Sequence, residues 1–289
     1  MKHLTIIVGP TAVGKTAYAI ELALKHGTEI VSCDSRQVYS ELDIGVARPT
    51  PDELRAVKHH LVACRSVQHP YNAYDFGQDA LHIIADLHQH HDEVVAVGGS
   101  GLYLQALLGG VPDLPDPTPE LRASLQQQLR DEGIESLRSQ LKILDPKYYR
   151  QVDLANHARL QRALEVCLTT GKPYSSFSTH DKGGGTRNFE TTVIELSRNR
   201  DDLRQRIERR VEQMMDLGLL NEVRSLLPYR HLQPLNTVGY KELFDYIDGR
   251  LSLDDALQQI KNHTWQYAKK QMTWLKKQSN ELPITTINI

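Results

Sequence analysis

An eight-residue glycine-rich segment near the start of the chain constrains the fold more than any other feature. It follows the compact apolar run 4–8 and precedes a helical pattern at residues 17–25. It fits the pattern G-x-x-x-x-G-K-[ST], in which glycines let backbone N–H groups surround phosphate oxygens at a helix N-terminus. The lysine of this pattern reaches the terminal phosphates, and the hydroxyl residue ligates Mg²⁺. The sequence therefore predicts a diphosphate or triphosphate site formed by Gly9, Pro10, Thr11, Ala12, Val13, Gly14, Lys15 and Thr16.

Further strand patterns predict a parallel sheet. β-rich runs at 29–33, 93–97 and 191–196 alternate with helical segments, which is typical of βαβ units. The apolar stretch 94–111 is interrupted by Gly98, Gly99, Gly101 and Gln105, which favours a buried strand followed by a helix over a membrane span. We expect an α/β fold with a P-loop NTPase-like parallel sheet, flanked by helices and carrying an inserted small helical domain.

The length of 289 residues and two linker-like segments predict this insertion. A single domain usually has about 150 residues, so a second unit is expected. Four prolines lie within residues 112–119, and the glycine run 182–185 is typical of a flexible joint. We predict a P-loop core at residues 1–115 and 187–289, and a helical insertion at 116–186. The remaining patterns predict helices at 119–144, 156–170, 201–227 and 253–277.

Composition excludes several classes of protein. The formal net charge of −2 provides no overall field for a polyanion, so a nucleic acid would need a local basic patch. Three scattered cysteines favour a reducing cytoplasm over a disulfide framework or zinc site. The first apolar run is too short for a secretory signal. The histidines at 59–60 and 88–91 lack partners at metal-ligand spacing, so we expect them on the surface.

A single carboxylate follows a predicted strand near the phosphate-binding loop. The second strand ends at Asp34, whereas the third ends at Gly99 and Ser100 with no acidic residue. P-loop ATPases usually hold their metal with an acidic residue at a strand end. Ligands of parallel sheets bind beyond the carboxyl ends of the strands, so Asp34 and Ser100 are expected to face the phosphates. From the residues alone, Asp34 is a general base, a metal ligand or a loop cap.

Two basic segments are candidates for contact with a nucleic acid. Arg159 and Arg162 lie three residues apart on one predicted helix face. Residues 261–277 carry five lysines and three aromatic residues without an acidic residue, which suits a phosphate backbone and stacked bases. An amphipathic surface helix with partly buried lysine stems fits this second segment equally well.

Taken together, the motifs resemble those of the tRNA dimethylallyltransferase family, in order along nearly the whole chain. The resemblance implies transfer of a dimethylallyl group from dimethylallyl diphosphate to N6 of adenosine 37, on the 3′ side of the anticodon, with release of pyrophosphate. It implies that the P-loop binds the diphosphate of this donor, with Mg²⁺ as cofactor. The matching segments are the P-loop and residues 32–39, 42–45, 71–76, 97–103, 156–165, 238–242 and 267–274.

The resemblance also implies roles for individual residues. Asp34 is the base that takes a proton from the adenine amine, and Ser100 occupies the place of a family threonine near the leaving oxygen. Arg206 approaches the diphosphate, with Arg204 as the rival assignment. The implied tRNA contacts are Ser35, Arg36, Gln37, Arg122, Ala158, Arg159, Leu160, Gln161, Arg162, Asn236, Gly239, Tyr240, Lys241, Lys269 and Lys270.

The expected partners are the anticodon stem-loop of tRNA and dimethylallyl diphosphate. We expect a cytoplasmic monomer without a membrane partner, and the binding of ATP at the P-loop stays an open alternative. A P-loop kinase of a nucleoside or small metabolite would use Asp34 as the base for a hydroxyl group. An RNA-binding module gated by a nucleotide would carry out no chemistry.

Overall fold

The computed structural model describes residues 1–177, 187–280 and 283–289. Its strands are β1 His3–Val8, β2 Ile30–Cys33, β3 His59–His60, β4 Glu93–Gly98, β5 Glu190–Ser197 and β6 Ile284–Asn288. The helices are α1 Lys15–His26, α2 Pro51–Ala56, α3 Ala73–Leu87, α4 Gly101–Gly109, α5 Pro119–Glu132, α6 Ile134–Leu144, α7 Pro146–Tyr149, α8 His157–Thr170, α9 Arg200–Asp216, α10 Leu219–Ser225, α11 Tyr240–Ile247 and α12 Leu253–Gln278.

The chain divides into two compact units, one formed by residues 1–108 and 186–289 and the other by residues 109–185. The first unit contains a six-stranded parallel sheet in the order β3-β2-β4-β1-β5-β6. Helices of this unit pack on the sheet through a core that includes Ile7, Val95 and Leu203. The predicted glycine-rich joint at 182–185 lies outside the described residues.

The expectation of a parallel sheet is confirmed, but two of its strands were missed. β3 has only two residues, which is too short for a hydrophobic pattern. β6 lies at the sheet edge beside β5 and has no fully buried residue, and its half-buried Ile284 and Ile287 are three residues apart, so it lacks the alternation typical of a strand. Beyond residue 200 the sequence analysis predicted only helices, so it is wrong for β6. The single helix expected at 201–227 is also wrong, because the chain turns at Gly218 with φ +98° between α9 and α10.

The second unit is helical. Helices α5, α6 and α8 pack around a small apolar core of Leu125, Leu137, Leu141 and Leu164. Gly133, at φ +75°, separates α5 from α6, so the predicted helix 119–144 is two helices. This unit has its own core.

Three strand ends lie side by side in the first unit and position the candidate site. β4 pairs with β1 through Ile7 and Val97, and with β2 through Cys33 and Gly98. A Cβ atom on Gly98 would lie 2.3 Å from the carbonyl oxygen of Cys33, so this register requires glycine. The loops that follow β1, β2 and β4 therefore start at the same edge of the sheet.

Two further predictions of the sequence analysis concern a membrane span and the histidines at 59–60 and 88–91. In the described part of the chain, every helix is too short or too polar to cross a membrane. The expectation of surface histidines is wrong for His88, which is buried and packs against Phe189. His60 is half-buried and its Nε2 lies 2.5 Å from Glu29 Oε2. These contacts give both histidines a structural role.

Candidate active site

The P-loop adopts the curled backbone that its glycines allow. Gly9 has φ +144° and Gly14 has φ +116°, values that side chains disfavour. A Cβ atom on Gly9 would also lie 2.5 Å from the carbonyl oxygen of Leu196 in β5. Ala12, at φ +66°, is one of four described non-glycine residues with positive φ. The loop therefore curls between β1 and the first turn of α1.

Lys15 folds back onto the P-loop. Its Nζ donates hydrogen bonds to the carbonyl oxygens of Gly9, at 3.0 Å, and Pro10, at 2.9 Å. Burial lowers the pKa of Lys15 to about 8, an effect that neighbouring Arg210 adds to and Asp34 opposes. Close to neutral pH the ammonium therefore stays charged in a partly desolvated position, where a phosphate oxygen would interact with it strongly.

Arginines of α9 contact the same loop from the other side. Arg206 Nε donates to the carbonyl oxygen of Ala12 at 2.8 Å, and Arg210 Nη1 donates to Thr11 Oγ1 at 3.3 Å. Arg204 instead lies 3.5 Å from Glu208 and its side chain is 58% exposed. Of the two arginines considered from sequence, only Arg206 contacts the P-loop. Arg210 was missed, because several arginines follow one another along α9.

Asp34 forms the turn after β2. Its Oδ1 accepts hydrogen bonds from the backbone N–H groups of Arg36, at 2.8 Å, and Gln37, at 3.2 Å. This is the loop-cap geometry that the sequence left open. Both hydrogen bonds go to the same oxygen, so capping occupies only Oδ1 and directs the carboxylate toward the P-loop cavity that it lines.

Ser100 is buried and contacts the Asp34 turn. Its Oγ accepts a hydrogen bond from the backbone N–H of Ser35 at 3.0 Å and lies 3.2 Å from Ser35 Oγ. Tyr267 of α12 lies beside it, and burial together with the charge of Asp34 raises the pKa of Tyr267 to about 12. Ser100 thus connects the loop after β4 to the loop after β2.

Two cavities meet at Asp34. The first, of about 320 Å³, is polar and is lined by P-loop residues with Lys15, Thr16, Asp34 and Arg206. The second, of about 190 Å³, is more apolar and has walls from α9, α12 and the segment 237–239. The residues shared by both cavities are Thr11, Asp34, Val46, Ala47 and Arg210. A polar site and an apolar site therefore share one wall, and this wall carries the carboxylate.

The loop that lines both cavities is held by Glu222 of α10. Its carboxylate accepts hydrogen bonds from the backbone N–H groups of Ile44, at 2.7 Å, and Gly45, at 3.1 Å. It also accepts the hydroxyl of buried Tyr240 at 2.6 Å. A Cβ atom on Gly45 would lie 2.6 Å from the Tyr240 ring, so the loop approaches α11 closely. No sequence motif pointed to Glu222.

Gln271 of α12 is a second buried polar residue that sequence reasoning missed. Its side-chain amide contacts both the P-loop and the loop after β4, through Thr11 and Gly99. Its signal was an isolated glutamine at a core-facing position of an otherwise basic helix.

The predicted RNA contacts of the first unit lie in different environments. Ser35, Arg36 and Gly239 line the apolar cavity, while Gln37 donates from Nε2 to the carbonyl oxygen of Ala47 at 2.9 Å. The exposed residues are Asn236, Lys241, Lys269 and Lys270. The prediction is wrong for the side chain of Tyr240, which is fully buried in the helical core and bonded to Glu222.

In the second unit, three of the predicted RNA-contact residues donate hydrogen bonds to one buried carboxylate. Glu165 accepts from Arg122 at 3.3 Å, Gln161 at 3.1 Å and Arg162 at 3.5 Å. Ala158 and Arg159 are exposed at the start of α8. The prediction is wrong for the side chain of Leu160, whose exposure is 0% because it packs in the core of this unit.

Metal-ligating clusters are absent from the described residues: no three histidine, cysteine or acidic side chains converge. The oxygen donors that line the polar cavity include Thr16 and Asp34. This donor set suits a hard cation that takes most of its ligands from phosphate and water.

Comparison with known proteins shows the family to which the chain belongs. The family model described as IPP transferase matches residues 37–278. The chain is 48% identical to tRNA dimethylallyltransferase 1 of Bacteroides thetaiotaomicron over 96% of this chain and 89% of that protein.

Two solved structures are similar over 100% of this chain. The tRNA isopentenylpyrophosphate transferase of Bacillus halodurans is 34% identical, with a TM-score of 0.69 over 90% of its chain. A eukaryotic dimethylallyltransferase acting on tRNA is 25% identical, with a TM-score of 0.78 over 74% of its chain. These similarities confirm the P-loop NTPase-like fold class. The chain therefore belongs to the IPP transferase family, as do the tRNA dimethylallyltransferases.

Proposed function

We propose that the chain transfers the dimethylallyl group of dimethylallyl diphosphate to N6 of adenosine 37 in tRNA and releases pyrophosphate. The observation that carries this proposal is the position of Asp34 on the wall shared by the polar and apolar cavities. A phosphate-binding site beside a carboxylate and an apolar space suits a reaction between an allylic diphosphate and a weak nucleophile. Family membership favours this function over a small-molecule kinase.

The polar cavity supplies the binding site for the diphosphate. The positive charges of Lys15 and Arg206 lie against the P-loop, and the N-terminus of α1 adds its partial positive charge. As the allylic C–O bond breaks, its electron pair moves to the diphosphate oxygen. Positive groups fixed in a partly buried site stabilise this developing charge more than water does.

Asp34 then serves as the base. The N6 lone pair forms the new C–N bond with the allylic carbon, and the amine proton moves to the Asp34 carboxylate. The hydrogen bonds of Arg36 and Gln37 to Oδ1 hold the carboxylate in place, and Oδ2 receives the proton. Through Ser35, the hydroxyl of Ser100 positions this turn, and its approach to the leaving oxygen stays a prediction.

Magnesium is the proposed cofactor. Thr16 at the start of α1 lines the polar cavity and would hold the ion through its hydroxyl oxygen, as in other P-loops. When bound, the ion supplies positive charge to the diphosphate. Mg²⁺ commonly takes only one or two protein oxygens beside phosphate and water, which fits this donor set.

The tRNA would bind through exposed basic residues on both units, within the cytoplasm. In the first unit these are Lys241, Lys269 and Lys270, and in the second unit they are Arg122 and Arg159, with half-buried Arg162 beside them. Adenosine 37 has to leave its stack to reach Asp34, at a cost that is reduced in a single-stranded loop. These contacts explain how a chain of net charge −2 binds a polyanion.

Mass spectrometry of nucleosides tests the proposal. Unmodified tRNA is incubated with the protein, MgCl₂ and dimethylallyl diphosphate, and a parallel reaction contains ATP instead. We expect a dimethylallyl adduct on adenosine in the first reaction only. Phosphoryl transfer from ATP without prenylation would establish the kinase alternative instead.

A further inference from the structure

Arg210 is a half-buried cation of the site that no sequence motif identified. It follows Arg206 by one helical turn on α9 and lines both the polar and the apolar cavity. Its only hydrogen bond among the described residues is the 3.3 Å contact from Nη1 to Thr11 Oγ1, although a guanidinium carries five N–H donors. Most of its N–H donors therefore have no acceptor among the described residues and lie at the cavity walls.

The charges around Arg210 do not balance it. Within residues 1–177, 187–280 and 283–289, no carboxylate lies within 4.0 Å of the charged nitrogens of Lys15, Arg206 or Arg210. Arg206 repels Arg210, and Glu53 of α2 is the acidic residue that attracts it from a distance. Asp34, on the shared wall, is the other carboxylate of the cavity. Burial and the charge of Arg206 together lower the pKa of Arg210.

Such an arrangement is unfavourable in the free protein. A charged group removed from water needs a partner of opposite charge, and repulsion from a second cation raises the cost. An anion that binds between the cations relieves both problems at once. Guanidinium groups match the oxygens of a phosphate with paired hydrogen bonds, better than an ammonium does.

We infer that Arg210 is a second binding residue for the diphosphate, at the wall where the phosphate cavity meets the apolar cavity. This inference rests on the proposed function. Arg210 strengthens binding of the diphosphate. While no anion is bound, its unpaired charge destabilises the protein.

The test compares Arg210→Gln with the wild-type protein, using inorganic pyrophosphate in buffer with MgCl₂. Calorimetry should show a Kd at least about 10-fold higher for the variant, which corresponds to about 1.4 kcal/mol. The Tm of the ligand-free variant should be equal to or above the wild-type value, and the Tm increase caused by pyrophosphate should shrink. A purely structural arginine would behave in the opposite way, with a lower Tm and an unchanged Kd.

Two further variants make the result decisive. Arg209→Gln removes the same charge from the adjacent, exposed position and should leave the Kd within about two-fold. If Arg210→Gln lowers both Tm and affinity, Arg210→Lys decides: restored affinity supports the inference, and affinity as weak as that of Arg210→Gln overturns it. If the wild-type protein binds no pyrophosphate, the proposed function fails as well, whereas equal binding by wild type and Arg210→Gln refutes this inference alone.

Discussion

The side-chain carbonyl oxygen of Gln271 accepts a hydrogen bond from the backbone N–H of Thr11 at 2.8 Å. The same amide donates from Nε2 to the carbonyl oxygen of Gly99 at 2.9 Å. The approach is close enough that a Cβ atom on Gly99 would lie 2.2 Å from Nε2. One buried side chain of α12 therefore links the P-loop to the loop after β4.

We expect Gln271→Leu to lower the free energy of unfolding by about 1–3 kcal/mol, because it leaves two backbone groups without their partners. The KM for the prenyl donor should rise more than kcat falls. A less rigid P-loop weakens binding of the donor and of the transition state by a similar amount. Urea denaturation and steady-state kinetics measure both effects. Gln266→Leu, at an exposed position of the same helix, is the matched control. Equal stability of the two variants would contradict the bridging role.

Asp34→Asn separates the base from the turn. The amide oxygen of asparagine still accepts the N–H groups of Arg36 and Gln37, so the loop should keep its shape. We expect the single-turnover rate of prenyl transfer to fall by about 10²–10⁴-fold, the usual contribution of general base catalysis. Filter binding should show that affinity for tRNA changes by less than about three-fold. A variant with a normal rate would exclude Asp34 as the base.

Binding of the donor should depend on pH through Lys15, whose pKa is lowered to about 8 by burial. Above this pH the free protein carries a neutral lysine, so binding of an anion requires uptake of a proton and affinity falls as the pH rises. Titration with dimethylallyl diphosphate between pH 7 and 9.5 should show this decline. Lys15→Arg keeps its charge and provides the control for ionisation of the ligand itself. Parallel curves for the two proteins would show that Lys15 does not titrate in this range.

The lysines of α12 should contribute to the salt dependence of tRNA binding. Replacement of both Lys269 and Lys270 by glutamine removes two exposed cations and should reduce the slope of log K against log salt by roughly 2. Lys25 and Lys58, exposed on the first unit outside the proposed RNA surface, form the control pair. An unchanged slope in the α12 variant would place its lysines away from the RNA.

The features that sequence reasoning predicted are those encoded by contiguous residues. The strand, loop and helix around Lys15 form a local pattern, and Asp34 is recognisable because it directly follows a strand. Arg210 and Gln271 act through tertiary contacts with the P-loop, and a helix with many arginines does not reveal which ones face it.

Transfer of whole motifs caused the errors at Leu160 and Tyr240. Each lies in a segment matched to an RNA-binding motif, yet one side of every amphipathic helix must face its own core. A segment-level resemblance does not distinguish these two faces. The strand β6 was missed for a different reason, because its half-buried residues do not alternate with exposed ones.

The carboxylate of Glu222 joins the helical layer to the reaction centre. It fixes Ile44 and Gly45, and the adjoining residues Val46 and Ala47 line both cavities. A substitution that disturbs the packing of α10 or α11 would therefore move the cavity wall and reduce activity, although it changes no catalytic residue. Loss-of-activity substitutions in this enzyme should therefore scatter beyond the pocket. A screen that scores only cavity-lining positions would overlook a distant class of inactive but folded variants.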